Sequence, residues 1–225
     1  MPCYNEQEHI YENLLLTASV LDGSGYNYEI IAVNDGSTDS TLEEILRASK
    51  ECQCIRGISY PKNQGKGYAV MEGFKASMGR CIVFFDSDLE ISPNHIPEFL
   101  EIYEKTSADV VVASTKLQGS VVRSSGLRRM LSRIYYFFVR CFIVPIGHEA
   151  GLHLYRRDVL ERIFSRLTTT RYAAEIEQLA LCCRMGYNIV ESPVEIKFRD
   201  RGGMGFFDWF HCGCETVMVW VRLNI

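Results

Sequence analysis

The hydrophobic positions of this chain follow two spacings, and their alternation predicts its secondary structure. Short uninterrupted apolar runs indicate strands buried on both faces, whereas apolar residues at every third or fourth position indicate helices. In the first half, we predict strands at residues 29–33, 55–60, 81–85 and 110–113, and helices that begin after Ser40 and cover residues 67–78 and 96–105. This alternation favours an α/β fold with a mostly parallel sheet that is flanked by helices.

The second half of the chain alternates less regularly. We predict helices at residues 126–142, 158–164 and 174–185, strands at 152–155 and 189–196, and an aromatic helix after the glycine-rich residues 201–205. No internal repeat or low-complexity linker interrupts the sequence. We therefore expect a single domain over residues 1–225, with a cleft between residues 1–115 and residues 116–225.

Composition narrows the classes of function. The 225 residues are 47% hydrophobic, which is enough for one substantial core. With 24 basic against 28 acidic residues, the chain has no excess of positive charge that would attract nucleic acid. The nine cysteines include no C-x-x-C pair, so we predict core thiols in a reducing compartment and neither a zinc site nor a disulfide framework. Without a signal-peptide pattern or an apolar run of about 18 to 20 residues, the sequence predicts a cytoplasmic chain that does not span a membrane.

Candidate chemistry begins at two carboxylates, Asp86 and Asp88, which follow the apolar run 81–85. The first polar residues after a buried strand emerge at the carboxyl edge of the sheet, where open α/β folds bind ligands. Carboxylate oxygens are the ligands that Mg²⁺ and Mn²⁺ prefer, with water and substrate phosphates completing the shell. An isolated D-x-D also has a simpler interpretation, in which Asp88 caps the next turn and Asp86 is solvated.

Four ordered motifs resemble the signature series of the GT-A glycosyltransferases of family two. They are residues 2–6 (PCYNE), 33–39 (VNDGSTD), 63–67 (NQGKG) and 86–90 (DSDLE), and later blocks at 151–160 and 191–195 extend the resemblance over nearly the whole chain. The series is most similar to that of the polyprenol-phosphate hexose synthases, such as dolichol-phosphate mannose or glucose synthase. The resemblance implies a GT-A, Rossmann-like fold, with a nucleotide-sugar-binding first half and an acceptor-binding second half.

The resemblance also implies roles for single residues. It assigns the nucleotide-sugar pocket to Pro2, Tyr4, Glu6, Val33 and Asp35, together with Lys66, Ser87 and Lys116. The chemistry agrees, since a tyrosine ring can face a base and buried acids can accept hydrogen bonds from a base or ribose. Lys66 lies between two glycines at a predicted helix start, where it could meet an anion or remain a solvated loop lysine.

By the same resemblance, Asp86, Asp88 and Glu90 hold the cation, and Asp86, Asp88 and Arg201 carry catalysis. Glu90 replaces the more usual glutamine and brings an additional negative charge. Lys116 replaces an arginine that contacts phosphate, so it supplies charge without the bidentate fork.

The reaction that follows is an inverting transfer of a hexose from a GDP- or UDP-sugar. An anionic lipid phosphate needs little activation, whereas a sugar hydroxyl needs a carboxylate base. The usual Glu-Asp pair reads Glu175-Ile176 here, so we expect a polyprenyl phosphate acceptor, although Glu175 could be a base or merely a helix-start acid. A basic helix face with Arg129, Arg133 and Arg140, and aromatic neighbours, favours peripheral attachment at the cytosolic face of a membrane.

The resemblance breaks at the amino terminus, where the apolar strand that should deliver residues 2–6 is missing. That strand lies between those ending at Asp35 and Asp86, so its loss would leave buried backbone groups unpaired. We therefore predict a sheet without its first strand, in a truncated or mis-started chain. A catalytically inactive nucleotide-sugar-binding scaffold remains an alternative, whereas a nucleotidyltransferase and a dinucleotide-binding oxidoreductase lack their glycine-rich first loops.

Overall fold

A computed structural model describes residues 1–115, 121–122, 135, 137–144, 149–171, 173–197 and 206–224. Strands and helices alternate through the first half as the hydrophobic pattern predicts. Its elements are β1 (Pro2–Cys3), α1 (Ile10–Asp22), β2 (Ile30–Asp35), α2 (Thr41–Glu51), β3 (Ile55–Tyr60), α3 (Lys66–Ala76), β4 (Cys81–Phe85), α4 (His95–Thr106) and β5 (Val110–Ser114). Helix α1 and the two-residue strand β1 are the elements of this half that the sequence analysis did not predict, and α1 follows a polar loop directly.

The second half supplies the remaining strands and three further labelled helices among the described residues. These are β6 (Val121–Val122), β7 (Glu149–Arg156), α5 (Arg157–Phe164), α6 (Ala174–Arg184), β8 (Ile189–Pro193), β9 (Glu195–Ile196) and α7 (Phe206–Asn224). Of the helix predicted at 126–142, residues 137–142 are helical, and Arg129 and Arg133 lie outside the described residues. No helix in the described part of the chain is both long and apolar enough to cross a bilayer.

The strands form two principal sheets that are rich in parallel pairs. One has the order β1-β2-β3 and is parallel throughout, and the other has the order β4-β7-β5-β8. Strand β5 pairs with β8 in parallel, but β7 lies antiparallel between β4 and β5. The predicted α/β class with helices is confirmed, and the antiparallel strand β7 is the feature that periodicity could not reveal.

The first strand is shortened rather than absent, which corrects the prediction. β1 pairs only Pro2 with Val33 and Cys3 with Asn34. Within the described residues, nothing lies between β2 and β4 along the rest of their length, so the two sheets are separated there.

Two apolar clusters cover the faces of the β4-β7-β5-β8 sheet. One cluster joins α1 and α4 to residues such as Phe85, Val111 and Leu154, and the other joins α5 and α6 to Phe84 and Val112. Alternate residues of β4 and β5 therefore point to opposite cores, as expected for strands buried on both faces.

One cysteine prediction is wrong. Cys52 and Cys54 form a disulfide in the connection between α2 and β3. The C-x-C spacing gave no signal of it, because the pair closes a loop of only one intervening residue. The other cysteines among the described residues are free thiols. Three of them, Cys3, Cys182 and Cys212, are buried, as predicted for core residues.

Candidate active site

The first two motifs fold into loops that are joined side by side at the end of the β1-β2 pair. The side chain of Asn5 accepts a hydrogen bond from the Thr38 backbone (2.9 Å), and the Asn5 backbone donates to the Ser37 hydroxyl (3.0 Å). The Glu6 backbone donates to the Thr41 hydroxyl (2.7 Å), and the Glu6 carbonyl accepts from Ile10 at the start of α1. Asn5 adopts a positive φ of 55°, which asparagine tolerates better than most residues. These hydrogen bonds hold the two loops together, so that they form one wall of the candidate site.

Asp35 connects the wall formed by these two loops to the third motif through hydrogen bonds. One of its carboxylate oxygens accepts from the Gln64 backbone (2.7 Å) and the other from the Gly65 backbone (3.0 Å). Gly36, at φ 62°, passes so close to the neighbouring loop that a Cβ would lie 2.4 Å from the Asn63 nitrogen. The buried Asp35 thus has a structural role, because it joins the second motif to the third.

The third and fourth motifs meet at a cluster of charged side chains. Lys66 Nζ lies 2.6 Å from Asp86 Oδ1 and 2.8 Å from Glu175 Oε1. Burial raises the pKa of Asp86 to about 6, although Lys66 opposes that shift. Burial would also raise the pKa of Glu175, but Lys66 and His153 outweigh it and the pKa is lowered. Glu175 therefore carries its charge at neutral pH, beside the end of β4.

The glycines on either side of Lys66 are explained by a close approach. A Cβ at Gly67 would lie 2.4 Å from the Ala174 Cβ, and one at Gly65, whose φ is 99°, would lie 2.8 Å from the Thr170 carbonyl oxygen. The Tyr68 backbone donates to that carbonyl (3.0 Å). The loop before α6 is thereby pressed against the start of α3, which brings Glu175 within reach of Lys66.

Glu177 holds the same loop from within the protein. Its buried carboxylate accepts four hydrogen bonds, from the backbone and hydroxyl groups of Thr168 and Thr169, at 2.6 to 3.1 Å. Three of these donors contact Oε2 and one contacts Oε1, so both oxygens are hydrogen-bonded and the burial of the charge is compensated. The sequence analysis singled out Glu175 as an acid near a helix start. Glu177, the second acid of the same helix, holds the loop in place rather than taking part in the chemistry.

Gly151 on β7 fixes the direction of the Asp86 side chain. The Asp86 backbone donates to the Gly151 carbonyl (3.2 Å), which extends the β4-β7 ladder by one pair. A Cβ on Gly151 would lie 1.9 Å from Asp86 Oδ2 and 2.6 Å from its Cγ. The carboxylate of Asp86 therefore occupies the space that a side chain at position 151 would take.

The rest of the fourth motif forms a tight turn after β4. Asp88 Oδ1 accepts from the Glu90 backbone (3.0 Å), and Leu89 between them has a positive φ of 53°. The side-chain amide of Asn13 in α1, which sequence reasoning missed, donates to the Ser87 carbonyl (2.7 Å). Asp88 thus caps its own turn, as the simpler interpretation expected, and it still contributes charge next to Asp86.

Most of the predicted site residues lie on this edge of the sheets. Pro2 pairs with Val33 in the β1-β2 ladder, and the Tyr4 side chain is 47% exposed beside the first loop. Burial raises the pKa of the Cys3 thiol to about 12, while a hydrogen bond with Ser87 opposes the shift and places the first loop next to the fourth motif. Lys116 and Arg201 lie outside the described residues, so their roles stay predictions.

A divalent cation fits the donor set at the end of β4. Within the described residues, no group of three or more metal-ligating side chains is already assembled. Asp86 and Asp88 nevertheless offer carboxylate oxygens one turn apart, and Mg²⁺ is commonly held by one or two carboxylates together with substrate phosphates. The contact of Asp86 with the Lys66 ammonium shows that this carboxylate already attracts a cation.

Comparison with known proteins decides the family. The family described as "Glycosyl transferase family 2" matches residues 1–164, which is most of the chain and includes all four motifs. The chain belongs to glycosyl transferase family 2. The resemblance inferred from the motifs is thereby confirmed.

Relatives within this family agree with the comparison to polyprenol-phosphate hexose synthases. The chain is 26% identical over 244 residues to a dolichyl-phosphate beta-glucosyltransferase of Drosophila melanogaster, with 99% of this chain and 73% of that protein covered. It is 27% identical over 230 residues to the glycosyltransferase AglD of Haloferax volcanii, with 100% of this chain covered. The chain spans only 37% of the length of AglD.

Solved structures of glycosyltransferases confirm the GT-A fold. A mannosyltransferase from Pyrobaculum calidifontis, in complex with GDP-Man and Mn²⁺, matches with a TM-score of 0.65 at 18% identity, covering 98% of this chain and 61% of that one. A glucosyl-3-phosphoglycerate synthase from Mycobacterium tuberculosis, in complex with Mn²⁺, UDP and glucosyl-3-phosphoglycerate, matches with a TM-score of 0.70 at 20% identity, covering 99% and 77%. At these identities the likeness establishes the fold.

Proposed function

We propose that this chain is the catalytic domain of an inverting glycosyltransferase that moves a hexose from a nucleoside diphosphate sugar to a polyprenyl phosphate. The observation that carries the proposal is the convergence of four motifs at one edge of the sheets, where the first two loops are joined and Lys66 contacts both Asp86 and Glu175. Family membership supports glycosyl transfer, and the dolichyl-phosphate glucosyltransferase relatives support the acceptor.

The donor would lie along the wall formed by the first two loops. The exposed Tyr4 ring offers a face to the base, and Asp35, held by the Gln64 and Gly65 backbone, would accept hydrogen bonds from the ribose or base. Asp86 and Asp88 would hold Mg²⁺ or Mn²⁺, and two structural relatives were solved in complex with Mn²⁺. Such a cation supplies Lewis-acid stabilisation of the departing diphosphate, on the order of several kcal/mol.

The chain's own side chains set up the displacement. Because the diphosphate blocks one side of the anomeric carbon, the acceptor attacks from the opposite side and the configuration inverts. Lys66 contacts both Asp86 and Glu175 through its ammonium group, which holds the two carboxylates in the same site. A phosphate oxygen is already anionic near neutral pH, so it attacks without losing a proton to the protein.

Transfer to a sugar hydroxyl is a second candidate function, and one observation favours it. The carboxylate of Glu175 lies in the site with a lowered pKa, so it is ionised and could accept the proton of a hydroxyl. General-base catalysis of this kind contributes roughly 10²- to 10⁴-fold. The two candidates therefore differ in their dependence on Glu175.

The deciding experiment incubates the protein with radiolabelled GDP-mannose, UDP-glucose or UDP-N-acetylglucosamine, each with polyprenyl phosphate or with a free oligosaccharide, with Mn²⁺ or EDTA. Label that becomes extractable into organic solvent only with the lipid phosphate supports the proposal. Label on the oligosaccharide supports the second candidate. Metal-dependent donor binding in calorimetry without any transfer supports the inactive scaffold instead.

Two variants connect the result to the site. Replacing Glu175 with Gln should leave transfer to lipid phosphate within about threefold of wild type, but it should reduce transfer to a hydroxyl at least 100-fold. Replacing Asp88 with Ala should abolish the Mn²⁺ dependence of donor binding. The matched control is Glu161→Gln on the exposed face of α5, which should change neither property.

A further inference from the structure

Arg171 lies in the loop that precedes α6, and it packs against the third motif. Its side chain is exposed, yet a Cβ added to Gly65 would lie 2.6 Å from the Arg171 Cγ and 3.1 Å from its Cα. The stem of this arginine therefore occupies the space that a side chain at position 65 would take. The sequence analysis did not single out Arg171, because no local pattern shows that its loop reaches the third motif.

The loop that carries Arg171 is held in place by hydrogen bonds to two helices. The Thr170 carbonyl accepts from the Tyr68 backbone in α3 (3.0 Å), and Glu177 in α6 accepts four hydrogen bonds from residues 168–169. The backbone just before Arg171 is therefore fixed. Because only the side chain remains to be ordered, a ligand that binds Arg171 loses less affinity to ordering than it would on a mobile loop.

Arg171 lies at the junction of two parts of the candidate site. Gly65, which its stem covers, donates through its backbone to Asp35 in the wall proposed for the nucleoside (3.0 Å). The next residue, Lys66, contacts Asp86 at the end of β4 (2.6 Å). The diphosphate of a nucleoside diphosphate sugar joins the nucleoside to the sugar, so a donor that follows the wall and reaches Asp86 would carry its phosphates past Arg171.

The charges of this part of the protein call for a further cation. Lys66 contacts both Asp86 and Glu175, and Asp88 adds negative charge next to Asp86. Because two carboxylates already engage the ammonium group of Lys66, it has little attraction left for a phosphate. None of the described residues forms an ion pair with Arg171. A guanidinium group stays charged at neutral pH and can donate to two phosphate oxygens at once.

We propose that Arg171 is a substrate-binding residue whose guanidinium group contacts a substrate phosphate. Its position beside Gly65 favours the diphosphate of the donor, and a polyprenyl phosphate is the other source of the same chemical group. This inference rests on the proposed function, because it adds a contact for the substrates of the same site.

The test measures the binding of UDP, GDP, uridine and guanosine by calorimetry with Mn²⁺, and the KM for polyprenyl phosphate in the transfer assay. It compares wild type with Arg171→Met, which keeps an unbranched stem and loses the charge, and with Arg171→Lys, which keeps the charge and loses the fork. Arg171→Met should bind the preferred diphosphate about 10- to 100-fold more weakly, as expected when a charge-assisted hydrogen bond is lost, with nucleoside affinity unchanged. Arg171→Lys should lie between the two.

Arg166 provides the matched control, because it is an exposed arginine in the same connection between α5 and α6, and Arg166→Met should change none of these values. A loss confined to the diphosphate assigns the contact to the donor, and an increase confined to the KM for polyprenyl phosphate assigns it to the acceptor. Equal losses for diphosphate and nucleoside, or unchanged values throughout, would overturn the inference. Arg171-dependent diphosphate binding without any sugar transfer would refute the proposed function and leave this contact standing.

A second measurement on the wild-type protein covers the case in which Arg171→Met fails to fold. Phenylglyoxal modifies accessible guanidinium groups, and mass spectrometry of the peptides gives the rate at each arginine. UDP or GDP with Mn²⁺, or polyprenyl phosphate, should slow the modification of Arg171 about tenfold at roughly ten times its Kd, while the rate at Arg166 stays constant. An unchanged rate at Arg171 with all of these ligands would overturn the inference.

Discussion

The replacement of Gly151 by alanine tests whether the direction of the Asp86 side chain determines activity. The added methyl group would lie 1.9 Å from Asp86 Oδ2, whereas carbon and oxygen atoms in contact are normally about 3.4 Å apart. The carboxylate must therefore move by about 1.5 Å. Its contact with Lys66 is 2.6 Å, and a displacement of that size would break it.

The cost of the replacement divides between stability and function. Overpacking costs about 1 to 3 kcal/mol even at a half-buried position such as Gly151, which corresponds to a Tm decrease of roughly 2 to 12 °C for a chain of this size. Function should suffer more, because a misplacement of about 1 Å in a reacting site can cost 100-fold in rate. We expect Gly151→Ala to remain folded at 25 °C and to lose about 100-fold in glycosyl transfer.

The assay measures transfer from the preferred donor, metal affinity and Tm for three proteins: wild type, Gly151→Ala and Gly213→Ala. Gly213 lies within helix α7, where a Cβ would meet nothing within 4 Å, so the same chemical change should leave activity intact and raise stability by about 0.5 to 1 kcal/mol. Wild-type transfer and metal affinity in Gly151→Ala would refute the reasoning, because the position of the Asp86 carboxylate would then not matter.

Three further predictions follow from the charged residues. Lys66→Met removes the ammonium group that competes with a metal ion for Asp86, so calorimetry without nucleotide should show Mn²⁺ binding about two- to fivefold more tightly, while glycosyl transfer falls. The surface control Lys75→Met should change neither Mn²⁺ affinity nor transfer. Unchanged Mn²⁺ affinity in Lys66→Met would contradict this prediction. Glu177→Gln places an amide against four donors and should destabilise the protein by about 2 to 4 kcal/mol in urea unfolding; a loss below 0.5 kcal/mol would show that these bonds carry little stability. Hydrogen bonds from Arg156 lower the pKa of Asp158 in the folded state, so this pair stabilises above the unfolded pKa near 4 and the contribution is lost as pH falls below it. Asp158→Asn should therefore show a smaller loss of Tm between pH 5 and about pH 2 than wild type, and parallel curves would exclude the pair as a source of acid sensitivity.

The strands of the first half could be predicted because each is an apolar run that ends at polar residues. Residues 55–60 and 81–85 were predicted with the bounds that β3 and β4 have. β2 and β3 pair in parallel, so the position of Asp35 at the carboxyl edge of a parallel sheet was also predictable. These features depend on the local pattern of apolar residues and on the rule that the carboxyl ends of parallel strands lie at one edge of a sheet.

The partners of Lys66 could not be predicted, because they depend on contacts between distant segments. Glu175 is more than 100 positions away, and it reaches Lys66 only because Gly67 allows Ala174 to approach. Gly151 was visible as part of a family block, but only the antiparallel β7 places it against Asp86. A single sequence shows that a glycine is present and not which neighbour fills the space it leaves.

The cavity between β2 and β4 and the candidate active site adjoin the same strand. Residues 81–85 of β4 line this cavity of about 870 Å³, and Asp86 follows directly after them. Within the described residues, β4 pairs with β7 alone, and a strand with one free edge can open locally at lower cost than one paired on both sides. Because Asp86 follows the movement of the backbone, its carboxylate should share that mobility, although Lys66 contacts it and Gly151 limits its direction. The position of Asp86 thus depends on how completely the strand before it is paired.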